Sequence, residues 1–199
     1  MTCMRRAAMA RRSGVVLILT AVASLTACSW STFPASPETV GADFPEGGIP
    51  TAVTWPSDWL DAVIGEPNDG ISGEIVDLRL EYHSGAWMWR VTSLDPGRDW
   101  LDEMVTEPDR GLESILDATD LSSTQQHHVT LSEDQLADVD VGAYEAARLS
   151  GEEYPSPRLV AMELTSVDGL PTWRVTIREQ EDGEFSTLEI DAMDGTVRG

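Results

Sequence analysis

The stretch that most constrains the fold is Leu159–Gly199, which reads as a three-stranded antiparallel meander. Asp168-Gly169 and Asp182-Gly183 are two-residue turn signals, because tight primed turns need positive φ, which Gly and Asp tolerate best. With Asp168-Gly169 at a hairpin tip, Val160 faces Ile177, Met162 faces Val175 and Leu164 faces Trp173. With Asp182-Gly183 at the second tip, Ile177 faces Leu188, Val175 faces Ile190 and Trp173 faces Ala192. Side chains alternate faces along a strand, so a one-residue slip would turn this apolar set outward. Both turns place the same apolar residues on one face. The other face carries Glu163 opposite Arg174, Thr165 opposite Thr172 and Ala161 opposite Thr176.

The same pattern occurs upstream. Trp173-Arg174-Val175-Thr176 repeats Trp89-Arg90-Val91-Thr92 at an offset of 84 residues (173 − 89). Without a gap, that offset maps Leu80 to Leu164, Gly85 to Gly169 and Gly111 to Gly195. Ser84-Gly85 is then the first copy's turn, pairing Leu78 with Val91 and Leu80 with Trp89. Two copies are a tandem duplication rather than a solenoid.

Residues 1–27 read as a targeting segment. Arg5, Arg6, Arg11 and Arg12 form a basic start, and Val15–Leu25 is an apolar run too short for a comfortable span. It ends in Leu25-Thr26-Ala27-Cys28, which resembles the lipobox of bacterial lipoproteins. The resemblance implies cleavage before Cys28, diacylation of its thiol and anchoring on the extracytoplasmic side of the cell membrane. The arginine pairs also suggest twin-arginine export, but Arg11-Arg12 is followed by Ser13-Gly14 instead of bulky apolar residues. Cys3 leaves with the signal, so Cys28 is alone in the mature chain and no intramolecular disulfide can form. Residues 28–50 read as the lipidated Cys and a flexible tether, rich in Ser, Pro, Gly and Thr and without apolar period. Extended, they would let the fold stand up to roughly 70 Å away at ~3.1–3.4 Å per residue.

The remainder divides at the repeat, into residues 51–118 and 119–199. Trp55-Pro56-Ser57-Asp58 opens a short helix with Ser57 as N-cap and Gly65 as its stop, followed by a loop at Glu66–Gly73. Strands are expected at Glu74–Tyr82, Ala86–Leu94 and Leu101–Thr106, with a short helix carrying Leu112, Ile115 and Leu116. Asp120–His128 reads as a polar link. Ser132 and Gln135 form a capping-box pattern opening a helix toward Leu149, which Gly142 weakens, with two shorter pieces as the alternative. The expected fold class is α+β: two tandem α-β-β-β repeats, each a three-stranded antiparallel meander packed on its own helix.

A helix, a hairpin, Trp173-Arg174-Val175-Thr176-Ile177, then a strand into Asp191-Ala192-Met193-Asp194-Gly195-Thr196-Val197 resembles the PepSY domain. The second copy matches from about Ser132 to Gly199. The first matches over Leu78–Thr92 but has Glu107-Pro108-Asp109-Arg110-Gly111 in place of the Asp-Ala element. The resemblance implies a non-catalytic module of secreted or membrane-anchored bacterial proteins that binds or restrains other proteins. It carries over no catalytic residue.

The residues argue against most chemistry. The mature chain holds all 35 acidic residues and nine arginines, a net charge of −26, which disfavours nucleic acid and anionic lipid as partners. Asp191–Gly195 and Asp138–Gly142 carry Asp and Gly but lack the D-x-[DN]-x-[DN]-G spacing with a distal Glu that wraps oxygens around calcium. His83 sits beside a hairpin tip, and His127-His128 would point to opposite sides of an extended strand. Without H-E-x-x-H or a free mature Cys, zinc has little support. There is no G-x-S-x-G elbow and no P-loop. No cofactor, metal site or catalytic residue is expected, and the chain is not expected to be an enzyme. Trp89 and Trp173 read as core anchors before ligand contacts. On the outward faces, Arg174 and Arg178 lie with Thr172 and Thr176, and Arg79 stands opposite Arg90. Two like charges directly opposed are unfavourable unless an acid lies between them, and Asp77 and Glu81 are at hand. The expectation is a lipid-anchored module acting by contact with an envelope protein, such as a peptidase or a sensor. The alternative is a solute- or cation-binding lipoprotein with its site between the repeats.

Overall fold

A computed structural model describes residues 33–56, 59–60, 70–95, 107–151, 158–179 and 183–199. Its strands are β1 (Ile75–His83), β2 (Ala86–Leu94), β3 (Arg110–Asp117), β4 (Ser123–Thr130), β5 (Arg158–Val167), β6 (Leu170–Arg178), β7 (Phe185–Asp191) and β8 (Val197–Arg198), with a helix α1 (Ala143–Leu149) between β4 and β5. All eight strands belong to one antiparallel sheet, in the order β4-β3-β2-β1-β5-β6-β7-β8.

This overturns the expectation of two α-β-β-β repeats each packed on a helix. The two meanders join edge to edge, because β1 pairs with β5 through Asp77↔Glu163, Leu78↔Met162 and Arg79↔Ala161. Joining them removes two exposed edges and merges two small apolar faces into one core. Beyond Pro56, Trp59 and Leu60, which are helical, α1 is the helix that the described residues contain.

Both tight hairpins form at the expected turns. Ser84 (φ 53°) with Gly85 (φ 89°), and Asp168 (φ 53°) with Gly169 (φ 80°), take positive φ at both central positions, as a type I′ turn requires. Leu78 pairs with Val91 and Leu80 with Trp89, while Met162 pairs with Val175 and Leu164 with Trp173. Other expectations shift. A bulge between Leu159 and Ala161 puts Leu159, not Val160, opposite Ile177. At the second tip, Glu179 and Glu184 close the connection through the Glu179 N–H to Glu184 C=O bond, so Trp173 faces Ile190 and Val175 faces Leu188. The slip is two residues, so every side chain keeps its face.

The first half departs further. Leu112, Ile115 and Leu116 belong to β3, not to a helix, and the expected link at Asp120–His128 contains most of β4. The expected strand at Leu101–Thr106 lies outside the described residues. So do Ser57, Gly65 and the first half of the Glu66–Gly73 loop. The Ser132 capping box does form, with Gln135 N–H donating to Ser132 Oγ (3.3 Å) and Ser132 N–H to Gln135 Oε1 (3.0 Å). It closes only a turn. The Asp140 and Val141 N–H groups both donate to Ala192 C=O, pinning the chain to the end of β7 before α1 begins.

The core lies on one face of the sheet. Leu78, Leu80, Trp89, Val91, Leu116, Met162, Leu164, Trp173, Val175 and Ile190 meet Trp55, Trp59, Leu60, Val141, Ala146 and Ala147 there. The two buried tryptophans are held alike: Trp89 Nε1–H donates to Thr54 C=O (2.9 Å) and Trp173 Nε1–H to Val141 C=O (2.7 Å). Each ties the second strand of its meander to the chain just ahead of a helical segment.

The opposite face is not bare. Residues Phe33–Pro50, expected to lie within a flexible tether, pack against the fold. Their first part lies over that face, with the Pro34 and Pro37 C=O groups accepting from Arg90 and Arg79. Their later part reaches the core side: Phe44 stacks edge-on against Trp87 (4.8 Å between centroids) and meets Phe185 (6.0 Å), and Val40, Phe44 and Ile49 pack against the core. Composition gave no warning, because this strap is held by scattered aromatics and by its backbone oxygens.

Candidate functional site

The strap crosses the polar face of β1, β2 and β3, and the residues beneath it form the best-defined polar site. Alternation puts Asp77, Arg79 and Glu81 of β1 on this face, with Arg90 and Thr92 of β2 and Glu113 of β3 beside them. Arg79 does stand opposite Arg90, as the sequence implies. The like charges are resolved by sending the guanidiniums to different partners.

Arg90 is 5% exposed and Glu81 1%, so theirs is a buried ion pair. Arg90 Nε donates to Glu81 Oε1 (2.8 Å) and NH2 to Glu81 Oε2 (2.9 Å), a two-pronged contact. NH1 donates to Glu113 Oε1 (3.0 Å), NH2 also to Pro34 C=O (2.8 Å), and the guanidinium lies 5.1 Å from the Phe33 ring centroid. Burial by itself would loosen the guanidinium's proton; the hydrogen bonds and charges of Glu81 and Glu113 more than reverse this. Arg79 NH1 donates to Ser36 Oγ (2.9 Å) and Pro37 C=O (2.8 Å), while Ser36 Oγ–H donates to Glu81 Oε1 (2.6 Å). Two arginines thus hold a strap that brings no charge to either. Farther along, Asp43 accepts the Tyr82 N–H.

Between the strap and the β1–β5 junction lies a cavity of about 290 Å³. Ser36 and Val40 roof it, Ala161 contributes apolar wall, and Asp77, Arg79, Arg90, Glu113, Glu163 and Arg174 bring charge. Glu163 accepts from Arg174 NH1 at 3.0 Å. Asp77 makes no hydrogen bond or ion pair among the described residues. Its carboxyl is pushed up from 3.8 to about 7, first by burial and then by the Glu163 charge, with Arg79 opposing.

The other residues singled out from sequence have plain structural places. Trp89 and Trp173 are in the core. Arg174 is on the polar face of β6, beyond the strap's arginine contacts, and Arg178 ends that strand. His127 and His128 do point to opposite sides of β4: His127 Nε2 is 3.2 Å from Glu113 Oε2 and its ring meets Phe33 edge-on, while His128 Nδ1 is 3.2 Å from Asp95 Oδ2. His83 is exposed at the first hairpin. Asp191 and Asp194 shape the β7–β8 turn, accepting the Met193 and Thr196 N–H groups (2.9 Å each). Among the described residues, no three His, Cys, Asp or Glu side chains are grouped to hold a metal, and no helix is long and apolar enough to cross a membrane. Cys28 lies outside the described residues. The opposed arginines were the one legible sign of this site. The roles of Ser36, Glu113 and the isolated Asp77 depend on the strap and on the β1–β5 pairing, neither of which the sequence displays.

No protein-family model matches the chain, so the PepSY-like resemblance rests on the residues that carry it, and no curated protein matches in sequence. Among solved structures, the chain is similar to a candidate lipoprotein from Clostridium difficile 630 at 16% identity, covering 64% of this chain and 81% of that one with a TM-score of 0.35. It is also similar to the YpmB protein from Bacillus subtilis at 14% identity, covering 64% and 84% with a TM-score of 0.24.

Two measurements probe the site. Arg90→Ala leaves Glu81 buried without its counter-charge and should cost about 3–5 kcal/mol in urea unfolding, with strap amides exchanging faster. Asp77→Asn tests the isolated carboxyl. Because the folded state holds its proton up to about pH 7 while the unfolded state loses it near pH 4, this group's contribution to stability falls as pH rises through that window. The Asn variant should match the parent near pH 4 and exceed it by about 2–4 kcal/mol at pH 8. A gap independent of pH would show that the carboxyl is not so placed.

Proposed function

We propose that the chain is a lipid-anchored, extracytoplasmic envelope lipoprotein acting as a non-catalytic binding module, with an envelope protein such as a peptidase or a membrane sensor as its partner. The observation carrying this reading is the succession of a basic start, an apolar run and Leu25-Thr26-Ala27-Cys28, with the packed strap beginning at Phe33, five residues after Cys28. Acylation of Cys28 gives a lone thiol its purpose.

Further support comes from the two hairpins. They share one register at the 84-residue offset, and each places its Trp in the core with Nε1 bonded to the chain ahead of a helical segment. This favours reading the sheet as a diverged tandem PepSY-like duplication, with the restraining or binding role that such modules are credited with. Arg79 and Arg90 are committed to the strap, so they do not offer a contact face. Leu170 (47% exposed) and Met193 (43%) do, flanking the Ala192 N–H to Pro171 C=O bond at one end of the sheet.

One experiment addresses anchor and partner together. The full chain, expressed in its bacterial envelope, should take up a labelled fatty acid and fractionate with membranes; Cys28→Ala should lose both. Cross-linking the lipidated protein should capture one reproducible envelope protein, lost in Leu170→Ser/Met193→Ser. Membrane partitioning that survives Cys28→Ala with the signal removed would refute the anchor, and capture indifferent to the double substitution would refute the surface.

A further inference from the structure

The cavity beneath the strap is built around an imbalance of charge. Three guanidiniums and three carboxylates approach it, but the pairing is not one to one. Arg90 is taken by Glu81, which does not line the cavity, and by Glu113. Arg174 is taken by Glu163. Arg79 spends its NH1 on the neutral Ser36 hydroxyl and Pro37 carbonyl. Asp77 is left without a counter-ion or a hydrogen-bond donor, at the edge of a space of about 290 Å³. A carboxyl so placed either keeps its proton or takes a cationic donor from outside the chain.

The walls narrow the kind of donor. Asp77 and Glu163 sit directly opposite each other on β1 and β5, so two carboxyls of one cross-strand pair reach one end of the space. The Val40 and Ala161 surfaces suit a short aliphatic stem. No third His, Cys, Asp or Glu joins the two in a metal-holding group among the described residues, which argues for an organic cation over a metal ion. The volume accommodates a molecule of several carbons and excludes a folded partner.

We propose that this cavity is a binding site for a small primary ammonium compound with a short aliphatic stem, with Asp77 as its counter-ion, Glu163 as a second acceptor and the Phe33–Val40 strap as its cover. The proposal is independent of the anchor and of the protein-contact surface. The ammonium donates to the carboxylate oxygens, and the stem lies along Val40 and Ala161. Asp77 then has the cation that the fold itself withholds. Since its carboxyl carries a proton up to about pH 7 in the free protein, binding at pH 6 displaces that proton, whereas binding at pH 8.5 displaces none.

The test is calorimetric titration of the full mature chain with n-butylammonium chloride at pH 6 and pH 8.5, each in two buffers of different ionisation enthalpy, at constant ionic strength. Sodium chloride and tetramethylammonium chloride, which lack N–H donors, are the controls. The expected result is saturable binding below about 10 mM, release approaching one proton per ligand at pH 6 only, and no saturable signal from the controls. Asp77→Asn should weaken binding at least about tenfold and abolish the proton release. This variant keeps the shape of the half-buried side chain, so its melting curve will show it folded. Absence of saturable butylammonium binding, an equal response to tetramethylammonium, or unchanged affinity in Asp77→Asn would each overturn the proposal.

Discussion

Leu78 and Met162 face each other at the centre of the sheet, and the rest of the structure depends on that pairing. Either half alone would be a four-stranded layer with two open edges and a small apolar face. Backbone pairing of β1 with β5 satisfies the inner edges and places Leu80, Trp89, Leu164 and Trp173 in one continuous core. The pairing also has a pattern. Leu78 and Met162 are 84 residues apart (162 − 78), and the neighbouring pairs Asp77↔Glu163 and Arg79↔Ala161 exchange under the same offset. The junction thus lies on an approximate two-fold axis. Because alternation continues across it, Asp77 and Glu163 meet on the polar side for the same reason that Leu78 and Met162 meet on the other.

That polar side would be unstable as drawn by the strands alone. Arg79 and Arg90 stand side by side, and Glu81 and Arg90 are too buried to rely on water. The strap resolves this without adding charge. Pro34 and Pro37 supply carbonyl acceptors to the guanidiniums, and Ser36 links Arg79 to Glu81. Proline suits the role, since it keeps the chain extended and has no N–H that would itself need a partner here. Of the charged groups that line the cavity, Asp77 alone makes no hydrogen bond or ion pair among the described residues.

How much could be read in advance varied with how the residues are buried. The hairpins at Ser84-Gly85 and Asp168-Gly169 were legible because one face is apolar and the turns demand positive φ. β3 was not: Leu112 and Leu116 face the core while Ile115 is buried on the opposite side, so both faces are covered and the strand shows a spacing of three and four residues that imitates a helix. β4 was illegible for the opposite reason, as a polar edge strand with Gln125, Gln126, His127 and His128 along it. Of the helix expected from Ser132 to Leu149, only the part after Gly142, Ala143–Leu149, forms, because tertiary bonds from Asp140 and Val141 to Ala192 outweigh a sound local cap. Of the candidate site, the opposed arginines could be found from register alone. The cavity could not, since it exists only where two segments far apart in sequence become neighbours.

The strap is also the part of the fold nearest the N-terminus, and this gives the domain a mechanical direction. A pull applied ahead of Phe33 is not shared by the eight strands in parallel. It falls first on the Phe33 ring against Arg90 and His127, then on Pro34, then on Ser36 and Pro37, one contact at a time. Contacts loaded in sequence yield at lower force than strands loaded in shear. The chain would therefore lengthen by peeling while the sheet stayed intact, and the first surface uncovered would be the charged face of β1 and β2.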